Sequence, residues 1–254
     1  MRQSQQGLYL RSVRLLRESV PSCDAYPFHL SAIKSLDELD FHPKVTYIVG
    51  ENGMGKSTLM EAIAIGLGFN PEGGTINFNF STEATHSELH QYLRLARSVN
   101  KPRDGFFFRA ESYYNLATNI DQMDREGGLG GRIIDSYGGK SLHQQSHGES
   151  FFATFVHRFS GNGLYMMDEP EAALSPFRQM SMLSRIHQLV QQRSQFIIAT
   201  HSPILMAYPD SVIYNLTSNG IERSLLEETD HYLLMKQFIN NKERMLHELF
   251  LDED

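Results

Sequence analysis

Three short apolar runs in this chain each have the length of a buried strand, and each is followed by a helical pattern or a sharp turn. They are "KVTYIVG" ending at Gly50, "GLYMMDEP" with its strand ending at Asp168, and "QFIIATHSP" with its strand ending at His201. Continuous apolar runs of this length are typical of parallel strands that are covered on both faces. We therefore predict one mainly parallel sheet.

Helical patterns follow the first two runs. "STLMEAIAIGL" follows the first run, and after the second run Ser175 can cap a helix that has Pro176 at its first position. The predicted apolar face of this second helix consists of Phe177, Met180, Leu183, Ile186 and Val190. Strands that alternate with helices predict an α/β fold that binds its ligand at the carboxyl ends of the strands.

The segment "HYLLMKQFINNKERMLHELF" predicts one further amphipathic helix near the end of the chain. Packing against its own domain is favoured, and docking to a partner is the alternative. Its apolar candidates are Leu233, Phe238, Met245, Leu246, Leu249 and Phe250.

Length and charge restrict the class of protein. The chain has 254 residues and a formal net charge of −7, which argues against a protein that coats nucleic acid through basicity alone. No apolar run approaches the roughly 20 residues that span a bilayer. The N-terminal residues lack the apolar block of a secretory signal, and Cys23 is the single cysteine. We therefore expect a cytoplasmic protein with no membrane partner.

The strongest chemical signal is "GENGMGKST", which fits the phosphate-binding pattern G-x-x-x-x-G-K-[ST]. Glycines allow the backbone to curl so that successive N–H groups point at phosphate oxygens. Lys56 would reach the β- and γ-phosphates, and the Ser57 hydroxyl would bind Mg²⁺. The predicted nucleotide-binding residues are Gly50, Glu51, Asn52, Gly53, Met54, Gly55, Lys56, Ser57 and Thr58.

Two further strand ends supply groups that phosphate hydrolysis needs. Asp168 would hold Mg²⁺, through water, and Glu169 would deprotonate the attacking water. His201 closes an apolar strand at the same predicted edge, where its imidazole could contact the γ-phosphate. We predict Glu169, His201 and Lys56 as the catalytic residues of a nucleotide-hydrolysing site that also binds Mg²⁺.

In this order, the P-loop, the apolar strand ending in "DEP" and the strand end "ATHSP" resemble the ABC-type ATPases, a class of P-loop NTPase. The chain is more similar to the soluble SMC/RecF-like branch than to transporter subunits. It looks closest to small ATPases that carry "SHGES" and "DEPEAALSP" segments. The resemblance covers nearly the whole chain and is specific at the level of the superfamily. It implies an ATPase head with a mainly parallel sheet core and a small helical signature lobe.

The resemblance also implies a signature segment that acts on a second subunit. Ser146, His147, Gly148 and Glu149 lie where the family has a signature loop at the start of a helix. There the serine and the helix N-terminus bind the γ-phosphate of ATP held by the other subunit. His147 departs from the pattern, which usually has glycine. An ordinary helix cap, with Ser146 and Glu149 as a capping box, is compatible with this role.

Other positions match the family less well. Ser175 stands where an aspartate is usual in the loop after the "DE" pair, and no glutamine clearly matches the family's Q-loop. Glu111, in "FFFRAES", is a further candidate for Mg²⁺. Tyr26 or Phe28 lies near the place of an adenine-stacking aromatic, although core packing is favoured there.

We expect one ABC-type domain over residues 1–254, with a core lobe of about 1–85 plus 150–254 and a signature lobe of about 86–149. The expected function is a MgATP-hydrolysing head that forms an ATP-dependent homodimer and drives or gates a protein partner. One alternative is a slow nucleotide-gated regulatory module of a defence or toxin system. A second is a DNA-repair or chromosome-type ATPase that clamps nucleic acid, which the net charge does not indicate.

Overall fold

The computed structural model describes residues 7–76, 87–127, 132–144 and 147–251. The strands in these ranges form two sheets, one of six strands and one of three. No helix in these ranges is long and apolar enough to cross a membrane.

The larger sheet has the three predicted strands at its centre. Its strands are β3 (Val45–Gly50), β5 (Asp104–Arg109), β6 (Gly163–Asp168), β7 (Gln195–Ala199), β8 (Ser211–Thr217) and β9 (Gly220–Ser224). The spatial order is β5-β6-β7-β3-β8-β9, and all neighbours pair in parallel except β8 and β9. The prediction of a mainly parallel sheet is confirmed. The third strand ends at Ala199, two residues earlier than predicted, so His201 lies in the loop that follows it.

A smaller antiparallel sheet packs beside the first. It consists of β1 (Leu10–Leu15), β2 (Glu38–Asp40) and β4 (Leu93–Arg97), in the order β2-β1-β4. The sequence pattern did not predict this sheet, because its strands are short and two of them alternate with exposed residues.

The described helices follow the strands as an α/β fold requires. They are α1 (Ser31–Ser35), α2 (Lys56–Leu67), α3 (Tyr113–Glu126), α4 (His147–His157), α5 (Pro176–Gln191), α6 (Pro203–Met206), α7 (Asp230–Asn240) and α8 (Lys242–Leu249). Ser175 caps α5 as predicted, since its side chain accepts a hydrogen bond from the N–H of Arg178.

The core lies on both faces of the larger sheet. Side chains of β3 alternate, so Tyr47 packs with α3, α4 and α5 on one face, while Ile48 packs with α2 and the smaller sheet on the other. Both residues are fully buried. Covering on two faces explains why the central strands have continuous apolar sequences.

The apolar face of α5 differs from the prediction. Ile186 and Val190 are buried as expected, but Phe177 and Met180 are 74% and 52% exposed. The buried stripe of α5 consists of Gln179, Met182, Ile186, Leu189 and Val190. It has helical spacing but is rotated from the predicted face, because the polar Gln179 is held inside by hydrogen bonds to Leu174 and Ser202.

The prediction of one continuous helix near the end of the chain is also wrong. It is two helices, α7 and α8, which meet at Asn241, and neither contains a buried residue. Asparagine is a poor residue for a helix interior, and the Asn241 side chain donates to the carbonyl oxygen of Gln237 in α7 instead of capping α8. The segment contacts its own domain through His231, which lies against His201, but it buries none of its apolar candidates.

The predicted helical lobe, residues 86–149, is helical only in its second part. Its first part contributes β4 to the smaller sheet and β5 to the edge of the larger one. The helical part begins with α3 and packs on α4 through Leu116, Ile134 and Phe151. The predicted lobe therefore begins too early, because "FFFR" belongs to β5, an edge strand of the larger sheet.

Candidate functional site

The loop between β3 and α2 has the backbone that a phosphate-binding loop needs. Gly50 has a φ of +139°, and a Cβ there would lie 2.3 Å from the carbonyl oxygen of Leu216. Gly55, with a φ of +93°, is the residue that precedes α2. A side chain would collide at Gly50, and at Gly55 the positive φ would be strained for any other residue. The first turn of α2 directly follows this loop. Its backbone N–H groups have no partners within the helix, so they favour the binding of an anion there.

Lys56 is held against this loop. Its Nζ donates to the carbonyl oxygens of Gly50 and Glu51, at 2.9 and 3.1 Å. Burial lowers the pKa of Lys56, and the nearby carboxylates of Glu169 and Asp168 oppose that shift. The Lys56 ammonium is thus already held at the loop. A charged phosphate oxygen is a stronger acceptor than these two carbonyl oxygens and can replace them.

Ser57 and Asp168 come together as the predicted metal ligands would. The Ser57 Oγ donates to the Asp168 Oδ1 at 3.2 Å, across the carboxyl end of the sheet. Burial raises the pKa of Asp168 to about 6, although Arg109 opposes the shift. A buried carboxylate of this kind is stabilised by a cation. A hydroxyl and a carboxylate oxygen are ligands that suit Mg²⁺, which also takes waters and phosphate oxygens.

Arg109 is a charged residue of the site that the sequence reasoning missed. It ends β5 and donates from Nη1 to Glu61 at 2.6 Å and from Nη2 to Glu111 at 3.1 Å. Its Nε lies 3.9 Å from the Asp168 Oδ2. A signal was present, because Arg109 follows an apolar run as Asp168 does. Glu111, the further Mg²⁺ candidate, has a side chain that is 81% exposed and pairs with Arg109.

Glu169 adopts a conformation that is uncommon outside glycine. Its φ and ψ are 51° and 52°, and its N–H donates to the carbonyl oxygen of Ala199. Such backbone strain is retained mainly where the surrounding structure needs it, as at functional sites. The Glu169 Oε1 lies 3.5 Å from the His201 Nε2, and the Glu169 side chain is 41% exposed. The two predicted catalytic groups therefore face each other at the sheet edge.

Glu171 holds the loop of His201 in place and was also missed. Its Oε1 accepts a hydrogen bond from the His201 backbone N–H at 2.5 Å. Burial raises the pKa of Glu171, and this hydrogen bond opposes the shift. Glu171 therefore ties the loop after β7 to the turn after β6. The sequence "DEPEAALSP" contained this residue, but no spacing rule pointed to its partner.

The His201 imidazole contacts a second histidine. The His201 Nδ1 lies 2.8 Å from the His231 Nε2, at the start of α7. Burial lowers the pKa of His201, and the charges of Lys56 and any protonated His231 lower it further. His201 is therefore neutral at neutral pH. No local pattern predicted His231, which lies thirty positions along the chain.

The signature segment is described only in part. Ser146 lies outside the described residues, and so does the side chain of His147. Gly148 packs closely, because a Cβ there would lie 2.5 Å from the carbonyl oxygen of Ala173. Arg178 of α5 donates to the Gly148 carbonyl oxygen at 2.9 Å and lies 3.9 Å from the Glu149 carboxylate. The start of α4 is thus fixed against the turn that follows β6.

Two neighbouring cavities share Ser57 and Glu169. One, of about 380 Å³, is also lined by Arg109, Glu111 and Asp168. The other, of about 290 Å³, lies along the phosphate loop.

Of the two aromatic candidates, only Tyr26 lines the second cavity. It is 63% exposed, and its hydroxyl lies 3.3 Å from the Thr58 Oγ1. Phe28 is buried and packs edge-on against Tyr92, so core packing is correct for Phe28 but not for Tyr26.

Comparison with known proteins gives the fold family. Residues 28–144 match a family model described as an AAA domain. The chain is similar to an inward-facing metal-chelate type ABC transporter, with 14% identity, coverage of 90% of this chain and 88% of that chain, and a TM-score of 0.50.

Two further solved structures are similar. One is a nucleotide-free ATP-binding cassette from an ABC transporter, with 17% identity, coverage of 96% and 99%, and a TM-score of 0.48. The other is the SMC head domain from Thermotoga maritima, with 16% identity, coverage of 85% and 98%, and a TM-score of 0.41. The likeness to the metal-chelate type ABC transporter shows that the chain has the fold of an ABC-type P-loop ATPase, and residues 28–144 match the model of an AAA domain.

Proposed function

We propose that the chain binds MgATP and hydrolyses it at the carboxyl edge of the larger sheet. The observation that carries this proposal is the convergence of Lys56, Ser57, Asp168, Glu169 and His201 at one edge, from three strand ends far apart in sequence. Isolated carboxylates or histidines at strand ends are common. Here the phosphate loop shares its cavities with Asp168 and Glu169, and Glu169 in turn faces His201, which favours phosphoryl chemistry over a purely structural role.

The phosphates of ATP would lie on the loop of residues 50–58 and the first turn of α2. Lys56 exchanges its carbonyl acceptors for phosphate oxygens, and the adenine stacks on the exposed ring of Tyr26. Ser57 and Asp168 would hold Mg²⁺, which would supply positive charge against the phosphates. Glu111 is a further metal candidate, although its exposure and its pairing with Arg109 give this role less support than Asp168 has.

Hydrolysis then needs a base and a group that contacts the γ-phosphate. Glu169 is partly exposed and accepts a proton from the attacking water. His201 is neutral, and its Nε2, buried with no hydrogen-bond partner among the described residues, is the donor toward a γ-phosphate oxygen. An unsatisfied buried polar atom is costly, so a ligand at this position resolves the cost.

We further propose that a second copy of the chain completes the site. Its segment Ser146–Glu149 would reach the γ-phosphate, with Gly148 packed against Ala173 to present the start of α4. Phe177 and Met180, which are exposed at the beginning of α5, give this face apolar surface for a symmetric contact. The helical part from α3 to α4 would act as the signature lobe and the rest as the core lobe.

The proposal includes a protein partner in a reducing cytoplasm. Exposed apolar side chains on α7, among them Leu234 and Ile239, favour a protein surface over a nucleic acid. The net charge of −7 agrees with that preference.

The experiment is ATP turnover by purified wild type and by Glu169→Gln. We expect Mg²⁺-dependent phosphate release in the wild type and a loss of about 100-fold or more in the variant, with ATP affinity kept. The matched control is Glu88→Gln, an acidic residue at a different part of the fold. Equal turnover in wild type and Glu169→Gln would contradict the proposal.

A further inference from the structure

His231 is placed against His201 by a rigid turn. Thr229, which precedes α7, is fully buried, and its Oγ1 donates to the carbonyl oxygen of Leu226 at 2.8 Å. The Glu228 carboxylate accepts from the Leu225 N–H at 2.9 Å and closes the same turn. The position of His231, in the first turn of α7, is therefore set by local hydrogen bonds as well as by its contact with His201.

The protons of the histidine pair can be assigned from the groups around it. His201 Nε2 faces the Glu169 carboxylate at 3.5 Å, and only a protonated Nε2 is attracted to a carboxylate. A neutral imidazole carries one N–H, so the His201 Nδ1 must then be an acceptor. At 2.8 Å, the His231 Nε2 must be the donor to it. In the reverse arrangement, a lone pair on His201 Nε2 would face the carboxylate oxygens.

We propose that His231 is a positioning residue, which fixes the orientation of His201 and holds it in the tautomer whose Nε2 carries the proton. The proposal rests on the proposed function, because that Nε2 proton is the one directed at the γ-phosphate. The partner of a functional histidine commonly fixes its tautomer in this way.

The placement of His231 has a consequence for the C-terminal helices. In the described part of the chain, α7 and α8 have no buried residue. Even so, His231 of α7 forms a hydrogen bond with His201, at the carboxyl edge of the larger sheet. A displacement of α7 therefore removes the donor from His201 without disturbing the core. The contact makes His201 sensitive to the position of a peripheral helix.

The kinetic test compares His231→Leu, which removes the donor, with His231→Gln, whose amide N–H can replace it. We expect kcat to fall about 10-fold in His231→Leu, with KM for ATP within about twofold, and to stay within about threefold of wild type in His231→Gln. His247→Leu, in the exposed part of α8, is the matched control and should leave both constants unchanged. Circular dichroism of each variant checks that it folds.

A double-mutant cycle separates positioning from a general structural effect. In a His201→Ala background, His231→Leu should cause no further loss of kcat, because its target is gone. A full additional 10-fold loss, an unchanged kcat in His231→Leu alone, or equal losses in His231→Leu and His231→Gln would each overturn the proposal.

Nitrogen NMR of the histidine side chains gives a readout that does not need turnover. In nucleotide-free wild type and in His231→Gln, His201 should be protonated at Nε2, and His231→Leu should show a mixture of both tautomers. A wild-type His201 protonated at Nδ1 would overturn the inference. If the wild type fails to hydrolyse ATP while these spectra are as expected, the proposed function fails and the hydrogen-bond assignment stands.

Discussion

Helices α2 and α7 have nearly the same length, 12 and 11 residues, but α2 is largely buried and α7 lies at the surface. In α2, the buried residues include even Lys56 and Glu61, and the helix lies under the larger sheet. In α7, no residue is buried, and a single histidine reaches the site. One helix at the candidate site is therefore part of the hydrophobic core, whereas the other lies at the surface and contacts the site through His231.

The largest expected effect lies at the start of α2. Lys56→Ala should weaken ATP binding by about 100- to 1,000-fold, because a buried ammonium that pairs with phosphate oxygens is lost. The matched control is Lys44→Ala, which removes an exposed lysine that pairs with Asp210 at the opposite end of β3. Calorimetric titration with ATP measures both. Comparable affinity in the two variants would show that the loop does not bind the nucleotide as proposed.

A second comparison uses isoleucines on the two helices. Ile63→Ala in α2 should lower the free energy of unfolding by about 3 kcal/mol, since Ile63 is fully buried and its removal leaves a cavity. Ile239→Ala in α7 should change it by less than about 0.5 kcal/mol, because Ile239 is 68% exposed. Chemical denaturation measures both values. A large loss for Ile239→Ala would mean that α7 is part of the core after all.

The smallest expected effect concerns the charge of Asp168 in the nucleotide-free protein. Its folded-state pKa of about 6 is above the ordinary value of 3.8, so the folded state binds this proton more tightly than the unfolded state. This contribution to stability is present at low pH and is lost as pH rises through about 4 to 6. Asp168→Asn should therefore gain stability relative to wild type, by on the order of 1 kcal/mol, between pH 5 and pH 8.

Thermal unfolding at pH 5 and pH 8 without nucleotide or Mg²⁺ checks this prediction. Asp210→Asn serves as the control, because Asp210 is an exposed carboxyl whose pKa is lowered by its hydrogen bond to Lys44. A relative stability of Asp168→Asn that does not change with pH would mean that burial does not raise the pKa of Asp168.

The central strands and the phosphate loop could be predicted because local sequence determines them. A strand covered on both faces must be apolar throughout. Gly50 must be glycine, because a Cβ there would lie 2.3 Å from the carbonyl oxygen of Leu216. These constraints are visible in runs of six to nine residues.

The remaining features depend on contacts between distant segments. Arg109 and Glu171 acquire their roles from partners on other elements, and the pairing of His201 with His231 depends on where α7 docks. The face of α5 was predicted from apolar residues alone, whereas a satisfied polar residue, Gln179, is inside. Hydrogen bonds between residues far apart in the chain produce no periodic pattern, so they cannot be recognised in the sequence.

Light scattering of Glu169→Gln shows whether ATP is held between two copies of the chain, as we propose. With saturating ATP and Mg²⁺, the account predicts a particle of twice the monomer mass, which reverts to the monomer when ATP is replaced by ADP. Adding Ser146→Arg to this variant should prevent the dimer while leaving ATP binding to the monomer intact. A Glu169→Gln protein that binds ATP but stays monomeric would contradict the account.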